Sequence, residues 1–195
     1  MTKFIKLSLL IITLGLIQAC TSSHLQPVTG ADATSAMKPQ PGKALVVFMR
    51  TSIVGGAIQA SVYDDDQYIS TVSAGTRIAY QATPGEHMFM VIGESADFMK
   101  ATLTEGKTYY ALVTPRIGLW KARFSFRPIH KDKPWSEIDE MVKDTDLMTP
   151  NADGHQWAKD NAQSIQDKKA EYLQKWLTKD KNAQAEATLY AEDGF

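Results

Sequence analysis

The chain has a single cysteine in 195 residues, at position 20. One thiol excludes an internal disulfide framework and a cysteine-built zinc site. Histidine is scarce as well. His24, His87, His130 and His155 are scattered, with no His-x-His or His-x3-His spacing, so neither a metal nor a resident cofactor is expected. No charge of one sign dominates: 21 basic residues face 22 acidic ones, a net charge of −1, which argues against nucleic acid as a partner. No apolar run reaches the roughly 20 residues that a comfortable membrane span needs. Gly-x-Ser-x-Gly elbows, P-loops and metalloprotease helices are missing too. The usual sequence marks of catalysis are therefore absent, and no catalytic residue is assigned.

What is present begins at the N-terminus. Lys3 and Lys6 precede an apolar run from Leu7 to Ile17, the layout of a secretory signal over residues 1–19. The run ends in Ile17-Gln18-Ala19-Cys20. This resembles the lipobox of bacterial lipoproteins: an aliphatic residue, a tolerant position, a small residue and a cysteine. The resemblance implies diacylglycerol on the Cys20 sulfur, cleavage between Ala19 and Cys20, and acylation of the new amine. The membrane is then a partner through lipid on Cys20, since two or three acyl chains on one residue make release slow where one chain does not. Thr21, where inner-membrane lipoproteins of Gram-negative cells commonly carry Asp, favours the outer membrane facing the periplasm in such a cell. Residues 20–42 lack a hydrophobic period and read as a lipidated cysteine and flexible tether, its ends on the order of 25 Å apart.

From Lys43 short apolar runs alternate with turn residues. Ala44 to Met49 is continuously apolar, as a strand buried on both faces would be. Ala57–Tyr63 and Tyr68–Val72 flank an Asp64-Asp65-Asp66-Gln67 turn, and Pro84-Gly85 separates Arg77–Ala82 from Glu86–Ile92. Phe98–Leu103, Thr108–Val113 and Leu119–Arg127 follow. Short strands at roughly ten-residue spacing predict a mainly β fold: an antiparallel β-sandwich of seven or eight strands over residues 43–128. The three consecutive aspartates lack the spacing of a calcium loop and read as a solvated hairpin turn.

Several turns of this region carry a further resemblance. Ala44–Arg50 followed by Gly55-Gly56, Val62–Ile69 with its acidic turn, Ala82-Thr83-Pro84-Gly85-Glu86-His87 and Gly106-Lys107-Thr108-Tyr109-Tyr110 resemble the DUF2846 family of uncharacterised bacterial lipoproteins. The likeness covers about residues 40–128, and PEGA-like β-sandwich domains share turns of this kind. That family has no established activity, so the resemblance implies fold and envelope location, not chemistry. Asp66 stands where the family's turn usually carries glycine.

Residues 129–195 hold 9 basic and 14 acidic residues, against 9 and 7 in residues 43–128. This shift marks a charged, helical C-terminal region. Pro134 to Val142 predicts a short helix. Asp153 to Lys179 predicts a longer one, with Trp157, Ile165, Tyr172 and Trp176 on one face. That face would pack on the sheet or, in the sharper reading, meet an envelope protein partner.

One surface exceeds background. On the last predicted strand Lys121, Arg123 and Arg127 share a face, with Arg116 just upstream. Alternate side chains of a strand line one surface, so these cations form a candidate face for an anionic envelope ligand. The plainer account is a solvated outer face. The sequence therefore favours a lipid-anchored, non-enzymatic interaction module of the envelope. The alternatives are a binding module using Arg116, Lys121, Arg123 and Arg127, and, last, a cell-wall or lipid hydrolase built from residues that folding brings together.

Overall fold

A computed structural model describes residues 24–116 and 123–195. The expected leader, its cleavage site at Ala19 and Cys20, and also Lys121, lie outside the described residues.

Eleven strands among these residues form two sheets. They are β1 (Leu25–Pro27), β2 (Ala44–Arg50), β3 (Ala60–Asp64), β4 (Gln67–Val72), β5 (Thr76–Ala82) and β6 (Gly85–Ile92). Then come β7 (Ala96–Leu103), β8 (Thr108–Arg116), β9 (Arg123–Ile129), β10 (Asp146–Pro150) and β11 (Thr188–Leu189). The helices are α1 (Gly30–Ala36), α2 (Trp135–Lys143), α3 (Ala152–Asp160), α4 (Ala162–Leu177) and α5 (Lys181–Ala185). The first sheet runs β1-β10-β5-β2-β8-β9 and the second β11-β7-β6-β3-β4.

The unbroken apolar run of β2 is explained by what covers it. Successive side chains of a strand point to opposite faces. Val46 and Phe48 enter the core between the sheets with Val62, Phe89 and Phe126. Leu45, Val47 and Met49 face the other way, onto Tyr110, Ile129 and Ile138 of α2. On the far side of the molecule Ile165 and Trp176 of α4 pack on Tyr63, Met90, Ile92 and Phe98 of the second sheet. The layers are thus helix, sheet, sheet, helix. The aromatic stripe expected to bind either the sheet or a partner is engaged with the sheet.

The purely antiparallel sandwich is corrected to mixed sheets. β2 pairs with β8, β5 with β10, and β7 with β11, all in parallel. Tight turns do give antiparallel neighbours, as in β3–β4 and β6–β7. Parallel pairs arise where a long excursion returns the chain: β3 to β7 are crossed before β8 lies down beside β2. The Pro84-Gly85 turn does not close a hairpin. It is a corner at which the chain leaves the first sheet for the second, since β5 and β6 belong to different sheets.

Two further expectations change. The tether ends earlier than expected, because Leu25–Pro27 pairs antiparallel with β10 and Leu25 is buried in the central core. Residues 36–40 are also tied down, by the Gln81 side chain, which donates to the Lys38 carbonyl (2.9 Å) and accepts from the Gln40 amide (3.0 Å). The single helix expected over 153–179 is two helices that meet at Asn161. Its backbone N–H (3.0 Å) and its side-chain amide (2.8 Å) both donate to the Trp157 carbonyl, closing α3 at that residue. Upstream, the Asn151 side chain caps α3 by accepting from the Gly154 amide at 2.9 Å. The C-terminal region is not a separate helical appendage, since it supplies β10 to one sheet and β11 to the other.

Candidate functional site

β8 and β9 pair antiparallel at the edge of the first sheet, with Arg116 opposite Arg123. Phe124 and Phe126 point into the central core, which turns Arg123, Ser125 and Arg127 outward. Three of the predicted basic residues therefore share one region, and Lys121 lies outside the described residues. None of Arg116, Arg123 and Arg127 forms an ion pair with a carboxylate among the described residues. Arg116 leans back to donate to the Phe124 carbonyl at 3.5 Å.

Sequence reasoning placed these cations on an open strand face. Folding puts Arg116 and Arg127 on the wall of a groove of about 590 Å³, opposite residues from the far end of the chain. Lys179, Ala183 and Glu186 form that other wall, and His130 and Asp97 also line the space. Lys179 is paired with Asp97 at 2.9 Å, so its charge is already met. Arg116 and Arg127 are cations of the groove without a carboxylate partner among the described residues. Lys179 and Glu186 could not have been assigned to it from sequence, since they lie more than fifty residues away on a different element.

A second feature lies at the other end of α4. The β2–β3 loop, residues 51–59, contains no charged residue. It exposes Ile53 (82%), Val54 (51%) and Ile58 (44%) to solvent. Burying apolar side chains normally orders a loop; this one is ordered from beneath, by Arg50. That guanidinium is wholly buried. It donates to the carbonyls of Val54 (3.0 Å), Gly55 (2.8 Å) and Ile58 (2.6 Å) and lies 4.9 Å from the centre of the Phe124 ring. Burial pulls its pKa below the ordinary arginine value. A charged residue ending a strand buried on both faces, just before a Gly-Gly loop, was the signal that sequence reasoning passed over.

Ile58 and Ala57 line a cavity of about 380 Å³ together with His24, Trp157, Asn161 and Lys168. His24 and Trp157 rings lie 5.6 Å apart. α3 approaches so closely here that a Cβ on Gly154 would stand 2.5 Å from the His24 carbonyl oxygen. The start of the described chain is thus pinned beside the apolar loop.

The histidines were the remaining candidates for chemistry. The His87 Nδ1–H donates to the Asp64 carboxylate at 2.8 Å, and its Nε2–H donates to the Thr83 carbonyl at 2.8 Å. Both nitrogens donate at once only in the imidazolium. Asp64 accordingly raises the His87 pKa, chiefly through this hydrogen bond and against the opposing cost of burial. The ring also stacks on Phe89 at 5.5 Å, and Tyr80 donates to the same carboxylate at 2.9 Å. No ring nitrogen of His87 is left to activate a nucleophile. His130 meets the buried Asp193 at 3.0 Å, and His155 lies edge-on to Tyr68 at 5.8 Å.

The three aspartates of the acidic turn diverge. Asp64 serves His87 and Tyr80, whereas Asp66 accepts from Lys169 (2.7 Å) and Gln166 (2.9 Å) of α4. Those two bonds hold the Asp66 carboxyl below its ordinary pKa. Asp65 takes the left-handed position of the turn, φ 50°, a conformation aspartate tolerates better than most residues. The turn joins β3–β4 to α4 and, with Asp65, Asp66 and Gln67 exposed, is solvated as expected.

No helix among the described residues is long and apolar enough to cross a membrane. No family model matches the chain, and no curated protein or solved structure matches it either.

Proposed function

We propose that this is a lipid-anchored bacterial envelope protein that acts by binding, not catalysis, and that its groove between β8–β9 and α5 takes an anionic envelope ligand. One observation carries the ligand reading: Arg116 and Arg127 line a shared groove of about 590 Å³ without a carboxylate partner among the described residues. Exposed arginines cost little to leave unpaired, but two on one concave wall give a planar, bidentate match to carboxylate or phosphate. Arg123 extends the same charge along β9. The anchor reading rests on the lipobox resemblance at Ile17–Cys20, and the DUF2846-like turns support an envelope location.

The test uses full-length protein extracted from the native envelope in detergent. Mass spectrometry of its N-terminal peptide is expected to find diacylglycerol on Cys20 and no residues 1–19. Titration with soluble peptidoglycan fragments bearing free carboxylates is expected to give binding that weakens as salt rises from 50 to 300 mM, since exposed charges are screened over about 10 Å at 0.1 M salt. The double variant R116E/R127E, checked for folding by its near-UV dichroism, should lose at least about tenfold in affinity, two charged contacts being worth more than 1.4 kcal/mol together. Unchanged binding by that variant would remove the groove from the proposal.

A further inference from the structure

We infer that the apolar loop 51–59 is a second membrane contact, seated on the lipid surface to which the chain is anchored. The inference rests on the lipid-anchor reading of Cys20 and adds to it an orientation of the folded domain.

Two independent observations bring the loop and the bilayer together. The first is chain length. His24 is already held beside α3, and it follows Cys20 by four residues. Four residues of fully extended chain span at most about 14 Å. A lipidated Cys20 therefore holds His24 within that distance of the headgroups, far closer than a free 22-residue tether would. His24 lines the same cavity as Ala57 and Ile58, so the part of the molecule drawn to the surface is the part that carries the loop.

The second is the loop itself. It is uncharged over nine residues and carries two adjacent branched aliphatic side chains, Ile53 and Val54, of which Ile53 is 82% exposed. Such side chains gain by leaving water for the acyl boundary, while a charged loop would be held off. Arg50 makes the gain usable. Its three hydrogen bonds satisfy the carbonyls of Val54, Gly55 and Ile58 from inside, so these groups need no water when the tip enters lipid. The loop is also ordered before it binds, which lowers the entropy lost on contact. Trp157, whose ring lies tilted beside His24, adds an amphipathic ring of the kind favoured at the membrane–water interface. A lone acyl-anchored cysteine leaves a domain free to rotate about its tether; a second apolar contact fixes one face toward the lipid.

The experiment exploits the single native cysteine. When the Cys20 sulfur is acylated, a cysteine introduced elsewhere is the only thiol available for labelling. I53C and, as reference, N182C on α5 are made in the full-length protein and labelled with an environment-sensitive fluorophore. Each is reconstituted into phosphatidylethanolamine/phosphatidylglycerol vesicles containing brominated acyl chains. The expected result is one label per chain, with quenching by bromolipid several-fold stronger at position 53 than at 182. Aqueous iodide should give the reverse order. Equal bromolipid quenching at the two positions in a singly labelled, acylated protein would overturn the loop contact and leave the anchor standing. Two labels per chain would overturn the anchor; in that case quenching at 53 on adding the protein to preformed vesicles keeps the loop contact, and its absence overturns that too. V54D adds a check independent of labelling at 53: with a label at Ile58→Cys, it should abolish the quenching seen at position 58 without V54D, and persistence of that quenching would count against insertion of the tip.

Discussion

The two ends of α4 sit against surfaces of opposite chemistry. At its first turn, Asn161 and Ile165 border a cavity shared with the uncharged loop 51–59 and with His24. Just past its last turn, Lys179 borders a groove walled by Arg116 and Arg127. The helix has 16 residues, about 24 Å of rise, so the two surfaces are held well apart by one rigid element. At the first end the arginine is buried and its hydrogen bonds are spent on backbone carbonyls, which leaves aliphatic side chains outside. At the second the arginines are outside and have no carboxylate partner among the described residues. The difference teaches how one residue type serves opposite purposes. Burial turns a guanidinium into scaffold for an apolar surface, and exposure on a concave wall leaves it free for a ligand.

The largest effect that would break this arrangement is expected from Trp176→Ala. Trp176 is buried against Phe98 near the end of α4. Its loss should cost about 3–5 kcal/mol in urea denaturation, as other large buried aromatics do. Amide exchange should rise first in α5 and along the groove, not in the loop. A uniform rise across the molecule would mean that the two ends are not separable. Gly154→Ala strikes the other end. A Cβ 2.5 Å from the His24 carbonyl forces α3 and β1 apart, at a cost of about 1–3 kcal/mol. Exchange should increase at residues 25–27 and around Trp157, while binding of anionic fragments in the groove stays unchanged.

The smallest effect separates both ends from the sheets that join them. His87 has its pKa raised in the folded protein by Asp64, from an ordinary value of 6.5. The protonated form is thus stabilised by folding. Its contribution is complete below about pH 6.5 and is lost as pH rises through the higher folded value. The melting temperature should therefore fall as pH rises above 6.5, and D64N should flatten that fall. The same slope should persist in R116E/R127E and in V54D. A slope that vanished with either would tie the histidine to one of the two surfaces.

Much of the fold was legible along the chain. Eight of the strands fall within a few residues of where alternation and turn residues place them. The continuous run Ala44–Met49 correctly announced burial on both faces, and the Trp157–Trp176 stripe announced a helix with one apolar side. Periodicity reports which face of a segment is buried, but not by what. It could not say that β8 returns beside β2 in parallel, that Pro84-Gly85 is a corner between sheets, or that Leu25–Pro27 is a strand. A three-residue strand has too few residues to display a period, and Leu25 alone provides its burial. The candidate site was half legible: spacing placed Arg116, Arg123 and Arg127 together, but the groove lined by Arg116 and Arg127 needs a wall formed by Lys179, Ala183, Glu186 and Ala187. Arg50 was read as the end of a strand, because nothing in its neighbours reveals that its side chain turns inward beneath a loop.

By itself the sequence determined the local pattern: an apolar run ending near the single cysteine, strands with defined inner and outer faces, and two helical stretches with an aromatic stripe. These follow from covalent geometry and from the sorting of apolar from charged side chains, which act over a few residues. Only the tertiary structure decided the mixed pairing of the sheets, the seat of His24 against α3, and the two surfaces at the ends of α4. Those depend on which distant segments exclude water from one another, and that choice is made by the whole core at once.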